Sequence, residues 1–293
     1  MKNNNSINKT GLGIKTVNGI TNTFIYIFLI AMSLIWLFPF FGIVLESLRC
    51  EYPGQVIYFW PKQFGFDNYV NLFKSDFPKW FLNTLLMGVA VSVLQTIFIL
   101  SMSYTLSRLR FKGRKALMNF MLILGMFPGF LTMILIYKIF ADLGLTEANA
   151  PLGLIIVYCA SSGMGYYVSK GFFDTIPKSL DEAARVDGAT RWQVFYKVIM
   201  PLSKPIIIYT ILMGFMAPWG DYMLARFLIN NDDSGMNVAV GMYKWIKGSG
   251  GSMNENYTIF CAAGVCVSIP VTIVFMSLQK YYVEGVTGGA VKG

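Results

Sequence analysis

Asp221 is the one acid set clearly inside a long apolar run, and Trp219 and Tyr222 stand beside it. Aromatic faces next to a hydrogen-bonding carboxylate suit the recognition of a sugar, and an ionisable residue within an apolar span is by default a functional position. Two structural readings compete with that one: Asp221 pairs with Arg226, or it caps a helix broken at Pro218 and Gly220. Acid–base and metal chemistry have little else to work with. The chain has no His, which removes the commonest general base and metal ligand. Cys50, Cys159, Cys261 and Cys266 lack paired ligand spacing, and three of them fall in apolar runs. They read as small buried apolar residues. No catalytic set and no metal site is expected.

A second polar feature lies at 179–201, between two apolar runs. Ser179 precedes Glu182 by three residues, the spacing of a capping box in which hydroxyl and carboxylate each satisfy a free helix-start N–H. Asp181 and Glu182 suit the positive end of a helix. Ala183, Ala184 and Val186 offer a small, close-approach face, and Arg185 and Asp187 give it mixed charge. Gly188 permits the left-handed turn that ends the helix. Thr190 is placed to cap a second helix through Trp192, Phe195, Tyr196 and Val198, which Pro201 ends. A membrane-surface helix pair carries larger apolar anchors opposite a Lys/Arg face. Protein docking is the better reading of this hairpin.

The elements that must position these residues are membrane spans. Of the 293 residues 55% are hydrophobic and 13% charged, against about 25% charged in soluble domains. Six segments have the roughly 20 apolar residues a crossing requires: about 24–45, 80–107, 117–138, 152–171, 206–229 and 258–279. Helices are expected, because the alternation of barrel strands is missing. Pro128 and Gly129 suggest a bend in the third span. Asn83, Gln95 and Asn119 face a pore or bond to neighbouring helices. The first run is too long for a signal-peptide core and lacks a small-residue cleavage site, so it reads as an uncleaved span. Residues 1–18 read as a polar cytoplasmic tail and 19–293 as a single transmembrane domain.

The net charge of +9 follows topology rather than nucleic acid. Arg108, Arg110, Lys112, Arg114 and Lys115 crowd one short loop without an acid, which places that loop inside. Both termini and the 179–201 hairpin are then cytoplasmic.

Glu182-Ala183-Ala184, then Gly188, then Val198-x-Met200-Pro201 resembles the EAA signature of permease subunits in binding-protein-dependent ABC importers. Val198 and Met200 stand where Ile and Leu are usual. Residues 171–178 (Gly-Phe-Phe-Asp-Thr-Ile-Pro-Lys), Pro128-Gly129, Leu143-Gly144-Leu145 and Gly288-Gly289-Ala290-Val291-Lys292-Gly293 are similar to the smaller permease of maltose-type carbohydrate importers. The resemblance implies an all-α type I importer permease of six spans in the cytoplasmic membrane, with a coupling loop at 174–204. Ser179 to Asp187 would be the helix gripped by an ATPase subunit, with Glu182 making a charge-assisted contact and Gly188 setting the turn. The 280–293 tail, at Gly288 to Gly293, would reach between two ATPase subunits. The implied partners are an ATPase pair, a second permease and an extracellular substrate-binding protein. The chain carries no Gly-x-x-x-x-Gly-Lys-Ser/Thr, so ATP and Mg²⁺ belong to the ATPase.

The reading that follows is a transport subunit without catalysis, moving a sugar or oligosaccharide inward. A permease for another solute is the near alternative. An ion-gradient transporter would need more intramembrane ionisable residues than Asp221, and an intramembrane hydrolase would need His or paired acids.

Overall fold

The structure, a computed structural model, describes residues 14–51, 58–160, 163–230, 232–247 and 256–290. Among these the chain is helical, with one isolated antiparallel bridge, Arg49–Phe64. Three helices are long and apolar enough to cross a bilayer alone: α1 (Ile14–Ser47), α3 (Phe77–Arg108) and α13 (Tyr257–Ala290). Three bent pairs bring the possible crossings to six. They are α4 (Arg114–Gly125) with α5 (Gly129–Asp142), α6 (Ala150–Ala160) with α7 (Gly163–Thr175), and α9 (Arg191–Leu202) with α10 (Lys204–Gly220). Short helices α2 (Asp67–Lys74), α8 (Lys178–Val186), α11 (Met223–Ile229) and α12 (Val238–Lys247) complete the fold.

The spans at 80–107 and 258–279 coincide with α3 and α13. Elsewhere the expected boundaries change. α4 and α5 meet at 100°, because Pro128 has no N–H to continue the helix. The expected fifth span, 206–229, stops at Gly220; Asp221 is extended (ψ 102) and α11 starts afresh at Met223. Residues 14–18, expected in the polar tail, already belong to α1, and the rest of that tail lies outside the described residues. The helix of the last span continues through Gly288, Gly289 and Ala290 rather than ending at 279. Val291, Lys292 and Gly293 lie outside the described residues. Pro78 sits in the first turn of α3, where a missing N–H costs nothing.

Two apolar cores hold the bundle. The larger gathers Met87 and Val91 of α3, Leu154 and Tyr158 of α6, Phe215 and Trp219 of α10, Leu228 of α11 and Ala262 of α13. Close approach of α3 and α10 depends on Gly214: a Cβ there would lie 2.9 Å from Ser92 Cα and 2.7 Å from Gln95 Oε1. Small residues at such crossings let helix backbones touch where lipid offers no hydrophobic drive to association. Polar stitches add direction. Gln95 donates to the Tyr158 carbonyl (3.1 Å), Ser103 to that of Tyr166 (3.0 Å), and Asn83 to those of Ser234 and Met236. The smaller core joins Leu100 and Tyr104 of α3 to Phe173, Ile176, Val194, Phe195, Ile199 and Ile206. It seats the hairpin. α1 packs on α13 and leaves Phe24 to Phe41 exposed.

Candidate functional site

The hairpin is α8, a turn at Asp187–Ala189, and α9. Ser179 does not cap α8. The helix begins at Lys178 behind Pro177 (φ −58, ψ 131) and makes no side-chain cap, so Ser179 already lies one residue inside the first turn. The proline's locked φ sets the start two residues earlier than the Ser-x-x-Glu spacing suggests. The turn is as expected. Gly188 has φ +85 and donates to the Arg185 carbonyl, while Ala189 donates to that of Ala184 (2.9 Å). These two bonds are the Schellman pattern. The capping box forms one helix later: Gln193 N–H donates to Thr190 Oγ1 (3.3 Å) and Thr190 N–H to Gln193 Oε1 (2.8 Å).

Pro201 does not end α9. The helix runs to Leu202, with Val194 to Ile199 wound as a π segment, the local widening that accompanies a disrupted hydrogen-bond ladder. The break comes at Ser203, where α9 and α10 meet at 82°.

Helical spacing divides α8 into two faces. Asp181 is buried and Ala184 half-buried against the smaller core. Leu180, Glu182, Ala183, Arg185 and Val186 are exposed, Val186 at 87%; Asp187 and Gly188 are exposed too. Trp192 of α9, 70% exposed, extends this apolar face. Glu182 makes no ion pair among the described residues. The Ala183–Ala184–Val186 face of the sequence reading is thus split: Ala184 turns inward and Leu180 joins the outer side.

Sequence reasoning missed the anchor. Asp181 was assigned to the helix start, yet its Oδ2 lies 3.3 Å from Nε of Arg108, the last residue of α3. The geometry is a charge contact rather than a hydrogen bond, since Arg108 Nε and Asp181 Oδ1 have no hydrogen-bond partner among the described residues. Arg108 Nη2 donates to the Ile176 carbonyl (2.8 Å), and Ser107 Oγ bonds to Asp174 Oδ1 (2.6 Å). The signal available in sequence is a basic residue closing a span, the first of five in that short loop, which topology alone already explains.

Asp221 sits at the break between α10 and α11. Its Oδ2 accepts from Tyr158 O–H (2.6 Å), its Oδ1 from Leu224 N–H (3.1 Å), and its carbonyl from Asn237 Nδ2 (2.8 Å). Both carboxylate oxygens are engaged, one by the first turn of α11 and one by Tyr158, and Arg226 instead donates to the Asn230 carbonyl. The flanking aromatics diverge. Trp219 is buried against Phe81 and Phe215, and Tyr222 packs on Tyr243 at 4.2 Å.

An all-helical bundle with up to six crossings and a polar hairpin inserted between two of them defines a multi-span membrane transport component. The family described as binding-protein-dependent transport system inner membrane component matches residues 100–288, and the chain belongs to it. It is 30% identical to the maltodextrin transport system permease protein MdxG of Bacillus subtilis, over 92% of this chain and 95% of the relative. It is 32% identical to the galactooligosaccharides transport system permease protein GanQ of the same organism, over 92% and 95%. Among solved structures it matches a chain of a bacterial ABC transporter involved in the import of the acidic polysaccharide alginate. That match has a TM-score of 0.76 and 26% identity, covering 94% of this chain and all of the other. The chain is an inner-membrane permease subunit of an ABC importer that works with a binding protein. It is a transport component and not an enzyme.

Proposed function

We propose that this permease carries a sugar or oligosaccharide inward and is driven by an ATPase pair that grips α8. ATP and Mg²⁺ are held by that pair. A second permease completes the pathway, and an extracellular binding protein delivers the substrate. The carbohydrate class rests on the names of relatives that match most of this chain. The hairpin and both termini face the cytoplasm, and the chain crosses six times, with each bent pair counted as one crossing.

One observation carries the coupling: Leu180, Glu182, Ala183 and Val186 are exposed on a helix whose opposite side is fixed to the end of α3 through Asp181. A ligand-driven subunit that pulls such a helix biases a two-state arrangement of the spans. The exposed elbow at Met126 to Phe130 between α4 and α5 is an apolar surface suited to the second permease. The helical stretch at Gly288 to Ala290 supports the reading that the C-terminal end reaches the ATPase pair; Asp221, Trp219 and Tyr222 stay as the pathway candidates, with Asp221 acting by fixing the α10–α11 break.

Glu182→Lys in the assembled importer is expected to abolish uptake while the chain still inserts and assembles with the second permease. Normal uptake by that variant overturns docking through α8. A sugar-binding screen on the partner binding protein tests the substrate class, and a binding protein that takes only non-sugar solutes overturns it.

A further inference from the structure

Five cations converge where α3 ends beside the hairpin. Arg108, Arg110, Lys178, Arg185 and Arg191 line a cleft of about 350 Å³. The acids in its wall are Asp181, already set against Arg108, and Glu182. Among the described residues no carboxylate lies within 4.0 Å of the Arg110, Lys178, Arg185 or Arg191 charges. Arg108 forms the floor: its side chain is 3% exposed, and its Nη1 is buried with no hydrogen-bond acceptor among the described residues. A second basic cavity, lined by Arg110, Arg114 and Lys115, continues the surface. Like charges crowded this way repel one another unless an anion joins them.

We propose that the cleft binds a phosphate-bearing anion, and that its source is an anionic lipid headgroup of the surrounding leaflet. Guanidinium forks match phosphate oxygens in paired hydrogen bonds. The position selects lipid over a solution anion. α3 has 32 residues, about 48 Å at 1.5 Å per residue, slightly more than the 40–45 Å of a bilayer with its headgroups. Its last residue, Arg108, therefore emerges at headgroup level. α9 turns 82° from α10, so it lies across the end of that span. The leaflet supplies phosphate to this cleft at a concentration no soluble anion reaches, and each basic residue near an anionic surface adds to the attraction. The bound headgroup would brace the hairpin along the Lys178–Asp181–Arg185 side of α8, next to Glu182.

The test uses the full chain in nanodiscs, with native mass spectrometry reading the lipid retained after a delipidating wash. Nanodiscs of phosphatidylcholine alone are compared with nanodiscs containing phosphatidylglycerol. Wild-type protein is expected to retain phosphatidylglycerol, to release it in high salt, and to keep it against millimolar inorganic phosphate. Arg110→Gln/Lys178→Gln/Arg191→Gln is expected to lower retention roughly a hundred-fold, from three surface cations. Lys62→Gln/Lys74→Gln/Lys79→Gln, which removes the same charge far from the cleft, keeps it. Arg110→Lys/Arg191→Lys supplies a mild variant should the triple one fold poorly, and it retains more lipid than the triple variant. Equal retention by wild type and the triple variant overturns the proposal, as does equal loss in the distant control. Displacement by inorganic phosphate reassigns the site to a free anion and overturns the lipid source. The readout needs neither ATP nor substrate, so a failed uptake assay bears on the proposed function and not on this site.

Discussion

Arg108 and Asp181 lie 73 residues apart in the chain, yet their charges meet at 3.3 Å with side chains only 3% and 11% exposed. The pair joins the end of the longest well-packed span to the inner face of α8. Movement of the hairpin is therefore transmitted to α3 through a buried ionic contact and the aromatic cluster of Tyr104, Phe173 and Phe195 beside it.

Asp181→Ala leaves Arg108 buried without its counter-charge, and breaking such a pair costs about 3–5 kcal/mol. Thermal unfolding of the detergent-solubilised chain is expected to show that loss. Arg108→Met/Asp181→Leu, which removes both charges and keeps volume, is expected to unfold later than either single variant. If the double variant is the least stable, the contact is not the anchor.

Gly188→Val places a branched side chain at φ +85, where an L-residue costs roughly 1–2 kcal/mol. Among the described residues beyond its chain neighbours, nothing lies within 4 Å of a Cβ at this position, so the penalty is one of backbone conformation. The helix pair is expected to splay, and co-purification of the ATPase to fall, while Gly188→Asn retains more because Asn tolerates this conformation. Equal co-purification from wild type and Gly188→Val would count against a required turn angle.

Tyr158→Phe removes a hydroxyl donating at 2.6 Å to Asp221. A hydrogen bond to a charged acceptor contributes about 1.5–3 kcal/mol. The double-mutant cycle with Asp221→Asn is expected to show coupling of at least half that size. Additive effects would mean that the two side chains act independently at the α10–α11 break.

Outside the spans, Glu51 shows how one loop is tied down. Burial is the largest single influence and pushes its carboxyl up. The backbone N–H groups of Lys62, Glu51 and Gln63 and the Arg49 charge outweigh it together and hold the group at about 2, against an ordinary 4.5. A folded value below the unfolded one gives stability that is complete above 4.5 and is lost as pH falls from there through 2. The protection factors of the Lys62 and Gln63 amides, exchange corrected for its intrinsic pH dependence, are expected to fall over that window, and Glu51→Gln to flatten the dependence. An unchanged pH profile in Glu51→Gln would assign the effect to another acid.

Much of the fold was legible because it depends on local pattern. Apolar runs located α1, α3 and α13, Gly188 marked the left-handed turn, and Thr190 marked the cap of the second helix. The errors are local rules overruled by prolines. Pro177 sets the start of α8 ahead of Ser179, and Pro201 is absorbed by a π segment rather than ending a helix; Pro128, by contrast, makes the bend its position suggests, at 100°. The partners of Asp181 and Asp221 were not legible. Arg108, Tyr158 and Asn237 are brought to them only by tertiary packing, and no spacing in the chain encodes those meetings.

The right-angled elbow at Ser203 makes a crank. α9 is 12 residues long, a lever arm of about 18 Å, so a sideways push of about 3 Å at its tip is a swing of roughly 10° about that joint. On the coupling proposed above, a stroke parallel to the bilayer would emerge as torque on α10. Work done in the plane of the membrane would thereby be converted into rotation of a span that stands across it.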